Sequence, residues 1–250
     1  MEKTEAVVLH TYNLTESSKI VVLLTPYRGK VRAVAKGVRR TKSKFGSALE
    51  PITHVEAEIY FKDGRDLQNL SQAETLDAFP SIRSDLTRLG LASLICELME
   101  QFAQEDEDSS ALFALLLIAL KTLASTTKNY ASLLISFYLR LLDVSGLLPE
   151  INHCVRCRRG IEGHAYLEAS AGGALCGGCS GGAGEKVYAG SLKIMQRLLT
   201  CDWTMLDRTR IAQPSADEIL RALNTYIIHH TGRELRSARF LRSLPKLDRE

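Results

Sequence analysis

No stretch of this 250-residue chain is apolar enough to cross a bilayer. The longest uninterrupted apolar run, Ala111 to Leu120, holds ten residues, which suits a buried helix and falls well short of a membrane span. The opening Met1-Glu2-Lys3-Thr4-Glu5 has no apolar h-region, so no secretory signal is visible and reducing cytoplasm is the expected compartment. Six cysteines in that setting are read as metal ligands, catalytic groups or core residues before disulfides. The chain also has no P-loop, GxGxxG, HExxH or GxSxG signature. Glu105-Asp106-Glu107-Asp108 lacks the glycine and spaced oxygens of a calcium loop and reads as a solvated loop between helices. Glu56 and Glu58 share a strand face, where pairing with cations across strands is simpler than paired-carboxylate chemistry. With no convincing catalytic set and no internal repeat, the expectation is a binding protein and not an enzyme.

One more absence is local. From Arg28 to Lys44 there is no acid, while Arg28, Lys30, Arg32, Lys36, Arg39, Arg40, Lys42 and Lys44 place eight cations in 17 residues. The net charge of the whole chain is +3, so everything outside this stretch sums to −5. Positive charge concentrated in this way needs either solvent or an anionic partner, and a phosphate backbone is the commonest such partner because neutralising it releases condensed counterions.

The first 80 residues alternate with the period of strands. Val31, Ala33 and Ala35 fall on one face with Lys30, Arg32 and Lys36 on the other. Val55, Ala57, Ile59 and Phe61 oppose Glu56, Glu58 and Tyr60. Pro26-Tyr27-Arg28-Gly29 supplies turn chemistry, and Asp63-Gly64 is a hairpin signal before a returning strand with Leu67 and Leu70. Five short strands in this length suit an oligonucleotide-binding (OB) barrel, although periodicity alone does not separate it from an SH3-like one. Gly37 to Gly46 is too charged to be strand throughout and reads as a mobile loop. Tyr27, Phe45 and Tyr60 are each compatible with barrel core or with base stacking.

From Ile82 the period becomes helical, with a stripe from Leu86 to Phe102. Ala111 to Ala124 is apolar nearly all round and reads as the central helix of a bundle. Tyr130 to Val144 is a further helix, ended by Gly146. Asn152 to Gly184 is rich in glycine and cysteine, and helical pattern returns at Leu192 to Leu199 and at Ile219 to Ile227. The resulting division is a nucleic-acid-binding barrel over 1–80, helices over 81–150, a metal-binding insertion over 151–185, and further helices with a basic tail over 186–250. The fold class is therefore multidomain α+β.

Within the insertion, Cys154, Cys157, Cys176 and Cys179 make C-x2-C-x18-C-x2-C, the spacing of a zinc ribbon or knuckle. Two thiolates two residues apart turn onto one ion, and two such turns complete a tetrahedral all-sulfur shell. Four sulfurs leave no position for a reactive water, so one structural zinc per chain is expected. Gly177 and Gly178 are expected to permit the tight turn, and Arg156, Arg158 and Arg159 to offset part of the negative charge. His153 and His164 read as surface histidines, and Cys96 and Cys201 as small core hydrophobes.

The order of these parts resembles the bacterial RecO family of recombination mediators over essentially the whole chain. The resemblance rests on Lys36 to Gly46, on the two CxxC pairs with Gly172-Gly173-Ala174-Leu175-Cys176, and on Leu235 to Leu241. It implies sequence-independent binding of single- and double-stranded DNA, annealing of complementary strands, and, with RecR, assistance in loading RecA onto strands coated by SSB. The SSB C-terminal tail is a further implied partner, and the implied location is the nucleoid. Two residues depart from the family pattern: Ala238 stands where the tail usually carries arginine, and Arg158 stands where a glycine often follows the second cysteine. The alternatives from the residues themselves are an RNA-binding zinc-ribbon protein of translation or transcription, and a metal-dependent enzyme with an open coordination position.

Overall fold

The computed structural model describes residues 1–40, 43–62 and 64–237. Lys42, half of the Asp63–Gly64 turn, and the tail from Ala238 with Arg239 and Arg242 lie outside the described residues. The chain divides by contact into two units, Met1–Ala124 and Ser125–Glu250.

The first unit opens with five strands: β1 (Glu2–Asn13), β2 (Lys19–Thr25), β3 (Gly29–Ala35), β4 (His54–Tyr60) and β5 (Gln68–Asp77). They close into a barrel in the order β1-β2-β3-β5-β4, with β4 paired back onto β1. Only the β3–β5 pairing is parallel. That order is an OB-type barrel, and closure leaves no sheet edge to manage. β1 serves two partners in turn, β4 through Glu2–Val7 and β2 through Val7–Asn13. A bulge between Val8 and His10 bends the strand just beyond the hand-over. The expected inward residues Val31, Ala33, Ala35, Val55, Ala57 and Ile59 are all in the barrel core. Phe45 joins them at 3% exposure, so the charged β3–β4 connection is anchored in the core through that ring and not free along its length.

Three helices complete this unit: α1 (Pro80–Arg83), α2 (Leu86–Phe102) and α3 (Ser110–Ser125, whose last residue falls in the second unit). Asp85 caps α2 by accepting from the backbone N–H of Arg88 at 2.8 Å. α2 packs on β1 and β2 and buries Val22 and Leu24 on the outside of the barrel. α3 is not enclosed all round as its composition suggests, because Ala111, Ala114, Ile118 and Lys121 are exposed.

In the second unit the enclosed helix is α4 (Tyr130–Val144). Its buried serines are not a packing fault. Ser136 Oγ donates to the Leu198 carbonyl at 3.0 Å, Ser132 Oγ donates to the Thr209 carbonyl, and Arg140 Nε donates to the Leu199 carbonyl at 3.0 Å. A three-stranded sheet follows, in the order β7-β6-β8, from β6 (His164–Glu168), β7 (Gly173–Cys176) and β8 (Glu185–Tyr188). The short helix α5 (Gly177–Ser180) joins β7 to β8. The chain then runs through α6 (Ala189–Thr200), a 3-10 turn (Trp203–Arg208) and α7 (Gln213–Thr231). No described helix is long and apolar enough to cross a membrane.

Candidate nucleic-acid interface and metal centre

The cations of the basic stretch fall into two groups with different surroundings. Those at the start of β3 are already partnered. Arg32 pairs with Glu105 at 2.8 Å. Arg28 pairs with Glu2 at 3.4 Å and Asp106 at 3.8 Å, with its guanidinium 4.9 Å from the centre of the Phe61 ring. Lys30 Nζ donates to the Glu100 carbonyl at 3.0 Å. The acidic loop after α2 is thus docked on β3 and not merely solvated. Its backbone holds it there: Lys30 N–H donates to the Gln104 carbonyl at 2.8 Å, Asp106 N–H to the Arg28 carbonyl at 3.1 Å, and Ser109 N–H to the Pro26 carbonyl at 2.7 Å. Gly29 is required at this docking site, because a Cβ there would sit 2.2 Å from the Gln104 carbonyl oxygen.

The second group lies past the end of β3. Lys36, Arg39, Arg40 and Lys44 are exposed, and none has a carboxylate partner among the described residues. Arg39 pins this turn to the β1–β2 connection, donating from its backbone N–H to the Ser17 carbonyl and from Nη1 to the Thr15 carbonyl, each at 3.1 Å. The buried ring of Phe45 holds the other side, with Lys44 Nζ 5.3 Å from its centre. Lys36, Arg39, Arg40 and Lys44 thus leave a positively charged surface with no carboxylate beside it among the described residues. Of the aromatic candidates, Phe45 is core, whereas Tyr27 and Tyr60 are exposed.

The four cysteines of the second unit converge. Their sulfurs all lie within 4.8 Å of one another, so the set could hold a metal ion. Cys157 and Cys176 are 3.8 Å apart, matching the edge of about 3.8 Å in a tetrahedral site with bonds of about 2.3 Å. Burial disfavours ionising Cys154, but the backbone N–H groups of Cys157, Cys176 and Arg156 outweigh it and bring the thiol down to about 6. Hydrogen bonding among the sulfurs, from Cys176 and Cys157 first, pushes Cys179 up to about 12. The first knuckle is laid along β7 by Ala174 N–H to the Glu150 carbonyl at 2.7 Å and Val155 N–H to the Ala174 carbonyl at 2.9 Å. A Cβ on Gly173 would strike that Glu150 carbonyl at 2.4 Å. His153 and His164 are not part of the set.

With a closed OB-type barrel, helices and a four-cysteine site in this order, the comparisons are specific. The family model described as Recombination protein O N terminal matches residues 1–79, and that described as Recombination protein O C terminal matches residues 83–239. The chain belongs to the RecO family. It is 36% identical over 242 residues to a DNA repair protein RecO of Anaeromyxobacter dehalogenans, covering 96% of this chain and 95% of the relative. It is also 36% identical over 247 residues to the protein of that name from Symbiobacterium thermophilum, covering 96% of each.

Against the RecO pattern, the glycine expected after the second cysteine gains a physical reason. Arg158 sits at φ +61°, in the left-handed region, with its N–H donating to the Cys154 carbonyl at 2.8 Å. Gly177 and Gly178, in contrast, do not adopt positive φ, and nothing crowds Gly178. The conformational demand is therefore at Arg158, not at the glycine pair. Arg158→Gly is expected to raise stability by about 1 kcal/mol, since a left-handed arginine bears a Cβ penalty that glycine does not. Denaturant titration of the metal-loaded protein checks this, and an unchanged or lower midpoint counts against it.

One exposed residue on the barrel, Tyr12, was not marked by the sequence pattern. Counting by twos from the core residues Ala6 and Val8 places Tyr12 inside, and the bulge after Val8 reverses that parity. No local sequence signal marks such a bulge.

Proposed function

We propose that this chain is a DNA repair and recombination mediator that acts by binding, not by catalysis. It would bind single- and double-stranded DNA without sequence preference, anneal complementary strands, and with RecR assist RecA loading on SSB-coated single strands, engaging the SSB tail. The observation that carries this reading is the turn bearing Lys36, Arg39, Arg40 and Lys44, whose charge is not cancelled by any described acid. Membership of a family whose relatives are named DNA repair proteins supports the choice of DNA.

In this scheme residues 1–80 are the DNA-binding domain and 151–185 the metal-binding insertion, flanked by helices over 81–150 and 186–250. Lys42 belongs with the turn cations. Arg28 and Arg32 contribute less, because each is already paired with a carboxylate, and so does Lys30, which is half-buried and held by the Glu100 carbonyl. Annealing then needs no acid, base or nucleophile. It needs two strands held close while fixed cations screen their repulsion. The proposed metal is one zinc ion on Cys154, Cys157, Cys176 and Cys179, where it fixes the fold of the insertion.

The deciding experiment follows complementary oligonucleotides by fluorescence with and without SSB. The expected result is pairing faster than the spontaneous rate in both conditions, accompanied by binding to each strand alone. DNA binding without acceleration sinks the annealing role. Preferential competition by RNA over DNA of the same sequence redirects the assignment to RNA.

A further inference from the structure

The first cysteine knuckle carries three arginines in four residues, Arg156, Arg158 and Arg159, and all three are exposed. None pairs with a carboxylate among the described residues. The backbone beneath them is fixed. Cys154 N–H donates to the Arg159 carbonyl at 2.9 Å, Arg158 N–H donates to the Cys154 carbonyl at 2.8 Å, and His153 bridges to Gly160, so the segment turns back on itself. Arg156 Nη1 donates to the Cys179 carbonyl at 2.6 Å, which ties this tip to the second cysteine pair. Arg158 stands at φ +61°, a conformation that suits glycine better than any side chain. Its guanidinium makes no described contact that would repay the strain, so the fold itself does not call for arginine here.

Charge balance at the metal centre accounts for part of this set. Four thiolates around one divalent ion leave two negative charges, and Arg156, held on the Cys179 carbonyl, is placed to offset them. The side chains of Arg158 and Arg159 have no hydrogen bond to the cysteines and face solvent. The exposed neighbours His153, Gly160, Gly177 and Gly178 offer no apolar anchor, so a ligand at this tip is held by charge. Guanidinium forks on a rigid support match phosphate oxygens two at a time. We propose that Arg156, Arg158 and Arg159 form a second phosphate-binding site, which takes a further DNA strand while the cationic turn of the barrel holds the first. This rests on the assignment of the turn cations to DNA phosphates and adds what annealing by a single chain requires, a hold on two strands.

The test counts short oligothymidines bound per metal-loaded chain by native mass spectrometry at low ionic strength, with anisotropy titration of each step. Two strands per chain are expected, the second held more weakly. Arg158→Gly combined with Arg159→Gln is expected to weaken the second step by about tenfold and to flatten its salt slope by about 1.4, at about 0.7 per lost contact, with the first step changed by less than about twofold. Because Arg158→Gly relieves the left-handed strain, the double variant should melt no lower than the native protein, and a lost strand is then not lost folding. One strand per native chain, or native binding of both strands in the double variant, overturns the proposal. Loss of metal or of melting temperature with both strands retained also overturns it and leaves the arginines as counter-charges of the metal centre. Displacement of the second strand by polyglutamate more readily than by unlabelled oligothymidine overturns it in favour of an acidic protein. Alanine at Lys36, Arg39, Arg40 and Lys44 together separates this site from the assignment it rests on. That variant should still take one strand and lose it when Arg158→Gly and Arg159→Gln are added. If it takes none, the knuckle site fails; if it keeps both steps at native affinity, the phosphate assignment of the turn fails.

Discussion

Serine in place of Cys154 is expected to release the metal and lower the thermal midpoint of the protein by roughly 10 °C, equivalent to at least about 3 kcal/mol for a unit of this size. The magnitude follows from how little else holds the insertion. Its sheet has strands of four and five residues, and its buried apolar side chains are few, chiefly Ala165, Leu167, Ala174, Leu175 and Val187. A sheet that small is marginal without an added cross-link. Cys154 is the most enclosed of the four cysteines, and nearby backbone N–H groups favour its thiolate over the penalty of burial. A serine oxygen is a poor zinc ligand, and removing one thiolate leaves three sulfurs and an incomplete shell. Metal analysis and calorimetry on native protein and variant check both halves of the claim. One zinc per native chain and none in the variant are expected. DNA affinity of the material that remains folded should be nearly unchanged, because the turn cations belong to the barrel. A metal-free variant melting with the native protein would remove the structural role, and loss of DNA binding at unchanged stability would move the metal to the interface.

Much of this architecture was legible in the sequence where the signal is local. Alternation of period two marked the inward residues of β3 and β4, because both strands have one face in the barrel core and one outside it. The spacing of the cysteine pairs marked the four-cysteine cluster because two-residue knuckles are short-range geometry. What escaped was set by distant contacts. Arg28 and Arg32 belong to one acid-free cationic stretch of the sequence, yet their partners Asp106 and Glu105 come from beyond α2, more than seventy residues on. No window along the chain contains both halves of those pairs. Phe45 offered equal claims to stacking and to core until the β3–β4 connection was seen to fold inward. Arg158 hid a left-handed residue behind a side chain that seldom adopts one.

The split between cations paired with a carboxylate and cations without one leads to the second large effect. Replacing Lys36, Arg39, Arg40 and Lys44 with alanine, leaving Lys42 in place, is expected to weaken DNA binding by roughly one to two orders of magnitude at moderate salt. The salt dependence is the sharper measure. Each phosphate contact contributes about 0.7 to the slope of log affinity against log salt on single strands and about 0.9 on duplex, so losing four flattens it by roughly 3 to 4. Arg28→Ala with Arg32→Ala removes two positive charges from the same stretch but should flatten the slope by less than about one. Arg32 must leave Glu105, 2.8 Å away, before it can meet a phosphate, and Arg28 must leave Glu2 and Asp106. An exposed pair of this kind is worth only about 0–1 kcal/mol, so the exchange is possible, but it releases the carboxylate to repel the incoming phosphate. Charge counting alone would rank the variants by number of cations removed, and the two replacements would then have effects in the ratio of two to one. The ion pairing predicts a wider separation. Equal slope changes per charge in anisotropy titrations over a range of salt would show that the acidic loop yields to DNA. A native slope in the fourfold variant would place the DNA path elsewhere on the chain.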